Sequence, residues 1–340
     1  MFNYNYTPTD SNLWEGRIDS DDNFDAFRWH QWVENIDLNN ENLYPFTGKL
    51  GFAFIGFCCD EGVKRNKGRI GAANGPHSIR KEMANLPCLF TQEVKLFDAG
   101  DITCDGITLE EGQKFLSQAV SKLLSLNLFP IVLGGGHETA YGNYNGILNY
   151  LSDDGRNKPN IGIINFDAHF DLRPYPQGGS SGTMFRQISN ICKGRDINFS
   201  YFCIGIQKHS NTVELFKTAE RLGVEYILAK DLIGNDIWNF IERLDNFIKN
   251  QDYIYVTICS DVFSTAYAPG VSASQSLGLD PELVLKLLKS ILKSNKVVSF
   301  DVCEVSPRFD LDNTTADLAS VLIFSFITTL AHINNLSIEI

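Results

Sequence analysis

The chain has 340 residues, 44% hydrophobic and 21% charged, with a formal net charge of −12. That length and apolar content suffice for one large domain or two modest ones with a sizeable buried core. The acidity and the lack of any long basic run argue against nucleic acid and anionic membrane surfaces as partners.

The opening stretch MFNYNYTPTDSNLWEG is polar and aromatic, with no basic start leading into an apolar segment. No signal peptide is expected from it. Residues 1–47 read as an irregular arm. From 48 to 340, short β-rich runs alternate with longer helical patterns and no Pro/Gly/Ser linker or repeat divides them. This predicts a single α/β domain, a mostly parallel sheet wrapped by helices. Eight strands are expected, at 51–57, 94–100, 129–133, 161–166, 201–206, 224–228, 252–259 and 297–303. Several are apolar on both alternations, as befits strands covered on both faces.

Between the last two strands, DPELVLKLLKSILKSN repeats its apolar positions Leu283, Val284, Leu287, Leu288 and Ile291 at helical spacing. Asp280 is placed as N-cap and Pro281 as first helical residue. The apolar segment ADLASVLIFSFITTLAHI carries Asp317, serines and threonines, so a buried helix is expected rather than a membrane span. Eight cysteines without an export signal suggest reduced thiols and a cytoplasmic protein.

Four expected strands end in ligand-type side chains. FPIVL runs into GGGHE, IGIINF into DAHFD, DYIYVTIC into Ser-Asp, and VVSFDVC into Glu304. Open parallel sheets bind ligands beyond the carboxyl ends of their strands, so these groups are expected on one rim. Asp167, His169 and Asp171 fall at alternate positions and point to one side if the chain stays extended. Carboxylates with imidazole suit manganese, iron, cobalt or zinc. His137 adds a second imidazole after three glycines, and Asp261 another carboxylate. The Lys-Ser/Thr of a phosphate-binding loop is missing from GGGHET.

With GGGHE, NFDAHFD and the acidic strand end before a Pro-containing loop, the chain resembles the ureohydrolase superfamily of arginases, agmatinases and formimidoylglutamases. WEGRID (14–19), GVKRNKGRIGA (62–72), FDAHFDLR, SSGTMF (180–185) and APGVSA (268–273) resemble the formimidoylglutamase branch in particular. The resemblance implies a three-layer α/β/α domain with about eight strands, a dinuclear manganese centre and a homo-oligomer. It assigns one metal to His137, Asp167 and Asp171, the other to Asp167, His169 and Asp261, with Asp167 bridging. A hydroxide between them would attack the amidine carbon of N-formimidoyl-L-glutamate, giving glutamate and formamide. Asp171 would carry the proton and Glu304 would orient the amidinium.

A substrate with two carboxylates needs a local positive patch on an acidic protein. Arg65, Lys67, Arg69, Arg173 and Arg186 are its candidates, with Arg173 the foremost. Asn66 and the hydroxyls of Ser180, Ser181 and Thr183 complete the expected substrate contacts. One position departs from the family, whose strand ends in Asp-x-Asp with the first Asp bridging the metals. In TICSD that position is Cys259. A thiolate there favours zinc or iron. The alternatives are one ion only, a disulfide with Cys303, or a metal-poor binder of a glutamate-like ligand. A guanidino-compound ureohydrolase is the remaining reading.

Overall fold

The eight apolar runs form strands as their patterns require, and the first 47 residues add two more at an edge. In the computed structural model, which describes residues 5–153, 158–233 and 237–338, these build one ten-stranded sheet. In chain order the strands are β1 (Tyr6–Thr7), β2 (Val33–Asn35), β3 (Leu50–Cys58), β4 (Val94–Thr103) and β5 (Phe129–Leu133). They continue as β6 (Ile161–Phe166), β7 (Ser200–Ile206), β8 (Glu225–Leu228), β9 (Tyr253–Cys259) and β10 (Val297–Cys303). The spatial order is β1-β4-β3-β5-β10-β9-β6-β7-β8, with β2 also on β4. All pairings are parallel except β1 with β4.

Both faces are covered, because alternate side chains of the central strands are apolar on each. Phe52 and Phe54 of β3 join the core beneath the helices Gly75–Met83, Ile237–Lys249, Pro281–Leu292 and Thr314–Ile333. Ala53, Ile55 and Phe57 join the opposite core, under Leu109–Ser125, Thr139–Asp153, Met184–Arg195 and Val213–Arg221. The result is the expected three-layer α/β/α architecture.

The Asp280 side chain accepts from the Glu282 N–H at 2.9 Å, with Pro281 opening the helix as anticipated. Among the described residues, Thr314–Ile333 is the one helix long and apolar enough to cross a membrane. It lies on the sheet, where Phe326 stacks on Phe300 at 4.3 Å between ring centroids.

The described part of the arm, residues 5–47, is tied into the domain. Trp29 is fully buried between Phe54 and Phe324, and the Trp14 indole N–H donates to Asp98 Oδ2 at 2.7 Å. It therefore covers the β4 edge that a parallel sheet would otherwise expose.

Candidate metal centre

β5, β10, β9 and β6 are neighbours in the sheet although β6 follows β5 in sequence. The two late strands insert between the two early ones, and this insertion brings the four ligand-bearing ends together. The Gly134–Gly136 run threads between them at close range. Gly136 N–H donates to Cys59 O at 2.9 Å, and Gly135 O accepts from Glu304 N–H at 2.8 Å. A Cβ on Gly135 would stand 1.9 Å from Cys59 O, so only glycine fits there. Glu138, the next residue after His137, accepts from the Gly62 N–H at 2.8 Å and so ties this loop to the helix Glu61–Arg65.

Asp167, His169 and Asp171 do converge, but not by strand alternation. The chain leaves β6, bends at Ala168 and His169, and takes a left-handed φ of 50° at Asp171. Asn211 pins this bend, accepting from the Phe170 N–H at 3.1 Å and donating to Ala168 O at 2.8 Å. Such supports of ligand loops are typically worth 10- to 100-fold in metal affinity. Asn211→Ala is therefore expected to weaken divalent-metal binding by roughly that factor, read by competition with a chelating dye.

His137 Nδ1 lies 3.0 Å from Asp167 Oδ2 and 3.1 Å from Asp171 Oδ2. His169 Nδ1 lies 3.4 Å from Asp167 Oδ1 and 3.1 Å from Asp261 Oδ2. Asp167 thus gives one oxygen to each group, the arrangement of a bridging carboxylate. Behind His137, Thr257 Oγ1 donates to Asp301 Oδ1 at 2.5 Å and therefore accepts from His137 Nε2 at 3.0 Å. With the proton held on Nε2, the Nδ1 lone pair faces the two carboxylates. Three lone pairs converging in this way are held together by a cation or a proton.

The donor set fits a divalent cation on two further counts. Asp167, Asp171, Asp261 and Glu304 are four buried carboxyls against two imidazoles, an excess of negative charge that calls for a counter-charge. Asp261 Oδ1 and Glu304 Oε2 are fully buried with no hydrogen-bond partner. Cys259 Sγ completes the set, within 4.8 Å of ligand atoms of His137 and Asp167. Cys259 and Cys303 are register partners, yet both thiols are free. Cys303 instead donates to Asp301 Oδ1 at 3.4 Å. The disulfide reading is thereby corrected: the second thiol is engaged by a carboxylate beneath the site.

Environment drives the carboxyls apart. Burial raises Asp167, but His137 and His169 outweigh it and hold this group well below the usual carboxylate range. Burial and the neighbouring Asp167 push Asp171 up to about 7. Burial, with Asp261 adding, pushes Glu304 up to about 8 despite the His137 N–H that it accepts at 3.0 Å. Burial, then Asp167 and Asp261, raise the Cys259 thiol. Glu304 also holds a φ of 66°, a strained conformation typical of functional positions.

A cleft of about 300 Å³ opens over these groups, the size of a small-molecule site. Its mouth carries Asn66, Lys67, Arg69, Arg173 and Ser181. Four expected contacts do not line it. Arg65 is clamped by Glu110 at 2.7 Å and by Gly179 O. Thr183 Oγ1 accepts from the Ser180 N–H at 2.8 Å and donates toward Ser180 O and Gln187, while Ser180 Oγ accepts from the Gly182 N–H at 3.3 Å, so they shape the loop instead. The Thr183 hydroxyl is consumed within its own turn, as local side chain–backbone bonds of Ser and Thr commonly are. Arg186 faces a separate depression with Arg221 and Glu214.

Thr257, Asp301, Asn211 and Glu138 were missed in the sequence. Asp301 had a legible signal, a carboxylate inside an otherwise apolar central strand.

The comparisons with known proteins agree with this geometry. Residues 50–328 match the model of the arginase family. The chain is 66% identical over 339 residues to a formimidoylglutamase of Clostridium tetani (strain Massachusetts / E88), covering 99% of this chain and 100% of that one. It is 45% identical over 315 residues to a formimidoylglutamase of Geobacillus sp. (strain WCH70), covering 93% and 94%. The crystal structure of formimidoylglutamase from Bacillus subtilis subsp. subtilis str. 168 shares the fold, with a TM-score of 0.76 at 21% identity over 93% of this chain and 96% of that one. So does Trypanosoma cruzi formiminoglutamase with Mn²⁺, with a TM-score of 0.73 at 24% identity over 85% and 97%. The chain belongs to the arginase family, on the branch of its formimidoylglutamase relatives.

Proposed function

We propose that this protein hydrolyses N-formimidoyl-L-glutamate to L-glutamate and formamide. Full-length identity of 66% to a formimidoylglutamase carries the substrate. The two donor groups sharing Asp167 support a pair of divalent cations, manganese as in the T. cruzi protein, and Cys259 Sγ stands beside His137 and Asp167. Such cations supply Lewis-acid stabilisation of developing charge and acidify water to a usable nucleophile near neutral pH.

The remaining work falls to side chains. His137 and His169 would hold a cation each through Nδ1, and the Thr257–Asp301 pair keeps the His137 proton on Nε2. Glu304 Oε2, buried and unpaired at the cleft, accepts an amidinium N–H, while the His137 N–H fixes its other oxygen. That contact places the amidine carbon over the site and stabilises the charge that builds on its nitrogens. Asp171, held near neutrality, takes a proton from the attacking water and returns it to the departing glutamate nitrogen. The new C–O bond and the broken C–N bond then leave formamide and a free amine. Arg173, exposed at the mouth with no ion pair among the described residues, receives a carboxylate. All eight cysteines are free thiols, which supports a reducing, cytoplasmic setting.

The test is elemental analysis of reduced protein equilibrated with manganese and dialysed, with glutamate and formamide release assayed on the same sample. About two ions per chain and turnover on the order of 1–10³ per second are expected. Substrate bound without turnover would make the protein a binder of glutamate-like ligands. Urea release from arginine, agmatine or guanidinobutyrate would move it to a guanidino substrate.

A further inference from the structure

The helix Glu61–Arg65 ends in a tight reversal. Lys67 N–H donates to Lys64 O at 2.9 Å and Gly68 N–H to Val63 O at 2.8 Å, with Lys67 left-handed at a φ of 62°. This pair of bonds is the Schellman closure, whose left-handed position is filled by glycine or asparagine in most helices. A lysine there is strained by its Cβ. Glycine is present, but one position later, at Gly68.

What the lysine gains is its place on the cleft. Lys67 is exposed and lines the same cavity as His137, His169, Asp171 and Arg173. Its basic neighbours are all engaged. Lys64 pairs with Glu61 at 3.1 Å and Arg65 with Glu110 at 2.7 Å. Arg69 donates to Val271 O at 2.6 Å and Ser272 O at 3.0 Å and lies over the Phe309 ring. Among the described residues, the Lys67 ammonium has no ion pair or hydrogen bond, and it shares this only with Arg173 among the cations of the cleft. Two unengaged cations thus face a cavity whose proposed substrate has two carboxylates.

We propose that Lys67 is a specificity-determining residue that binds the side-chain carboxylate of the formimidoyl-glutamate substrate, leaving the α-carboxylate to Arg173. This assignment rests on the substrate reading above. The α-carboxylate sits on the carbon that bears the reacting nitrogen, close to the buried donors. Arg173 follows Asp171 by two residues and so serves that end. The side-chain carboxylate, further along the substrate from the reacting nitrogen, falls to the other unengaged cation of the mouth, Lys67. Glu138 ties the rim to the metal site, since it joins the loop of His137 to the helix that ends at Lys67.

A structural role and a substrate role predict opposite things for Lys67→Gly. Glycine fits the left-handed position, so the melting temperature should hold or rise by a few degrees. Loss of a charge-assisted contact should raise KM for N-formimidoyl-L-glutamate roughly 10- to 100-fold, with kcat within about threefold. Lys67→Arg should restore part of the loss. The wild type should prefer the glutamate substrate over N-formimidoyl-L-glutamine, whose side chain is an uncharged amide, and Lys67→Gly should erase most of that preference. An active wild type with unchanged KM and unchanged preference in Lys67→Gly would overturn the assignment alone. A wild type that turns over no N-formimidoyl-L-glutamate would overturn the substrate reading and this assignment together.

Discussion

Asp167→Ala is expected to leave a folded protein that retains less than one divalent ion per chain and loses at least about 10³-fold in kcat. Among the described residues, Asp167 is the side chain common to both donor groups. Its Oδ2 meets His137 and its Oδ1 meets His169, joining the group that Asp171 shares to the one that Asp261 shares. The carboxylate is itself held by the His169 N–H at 2.7 Å and by Asn165 at 3.1 Å. Removing it separates the two groups and leaves each with one fewer oxygen donor. Elemental analysis after dialysis reads the metal, circular dichroism the fold, and formamide release the rate. Retention of two ions and near-normal turnover would show that Cys259 and Asp171 hold the cations without the shared carboxylate. Asp261→Ala is the milder comparison, since Asp261 faces His169 alone.

The largest effect on stability is expected from Arg80→Met, at roughly 3–5 kcal/mol of unfolding free energy. Arg80 is completely buried and binds Asp98 through Nε at 2.7 Å and Nη2 at 3.0 Å. It also binds Asp101 through Nη1 at 2.7 Å and Gly100 O at 2.8 Å. Methionine fills similar volume but strands two carboxylates in the interior. A lysine is no substitute either, because one ammonium cannot reproduce the planar fork, so Arg80→Lys should recover only a minor part. Urea unfolding measures both variants, and a loss below about 1 kcal/mol for Arg80→Met would refute the argument.

The same network sets the acid limit. Burial raises Asp101, but Arg80 and then His77 outweigh it and hold the carboxyl at about 2. Its folded value lies below its unfolded one, so its contribution is full above about pH 4 and is lost as pH falls toward 2. In Arg80→Met that window should vanish from the difference between acid and neutral stability.

Much of this molecule is decided by local pattern. Runs apolar on both alternations can satisfy their burial only as covered strands, so all eight expected strands form, within a few residues of their expected bounds. Asp280 and Pro281 start their helix because capping needs only a side chain and the next turn. Asp167, His169 and Asp171 are equally legible, since three metal donors within five residues have few uses apart from an ion.

What the tertiary structure decided are matters of distant partners. Insertion of β10 and β9 between β5 and β6 placed Glu304, Cys259 and Asp261 beside His137 and Asp167, across 92 to 167 residues of chain. The two edge strands of the first 47 residues are too short to read by alternation and exist because β4 offers them an open edge. Arg65 is as basic as Lys67, but Glu110, 45 residues away, holds it. Thr183 carries a hydroxyl as Ser181 does, but its own turn consumes it. A side chain's type is written in the sequence, but whether its charge or hydroxyl is already spent depends on what the fold brings within about 3 Å of it.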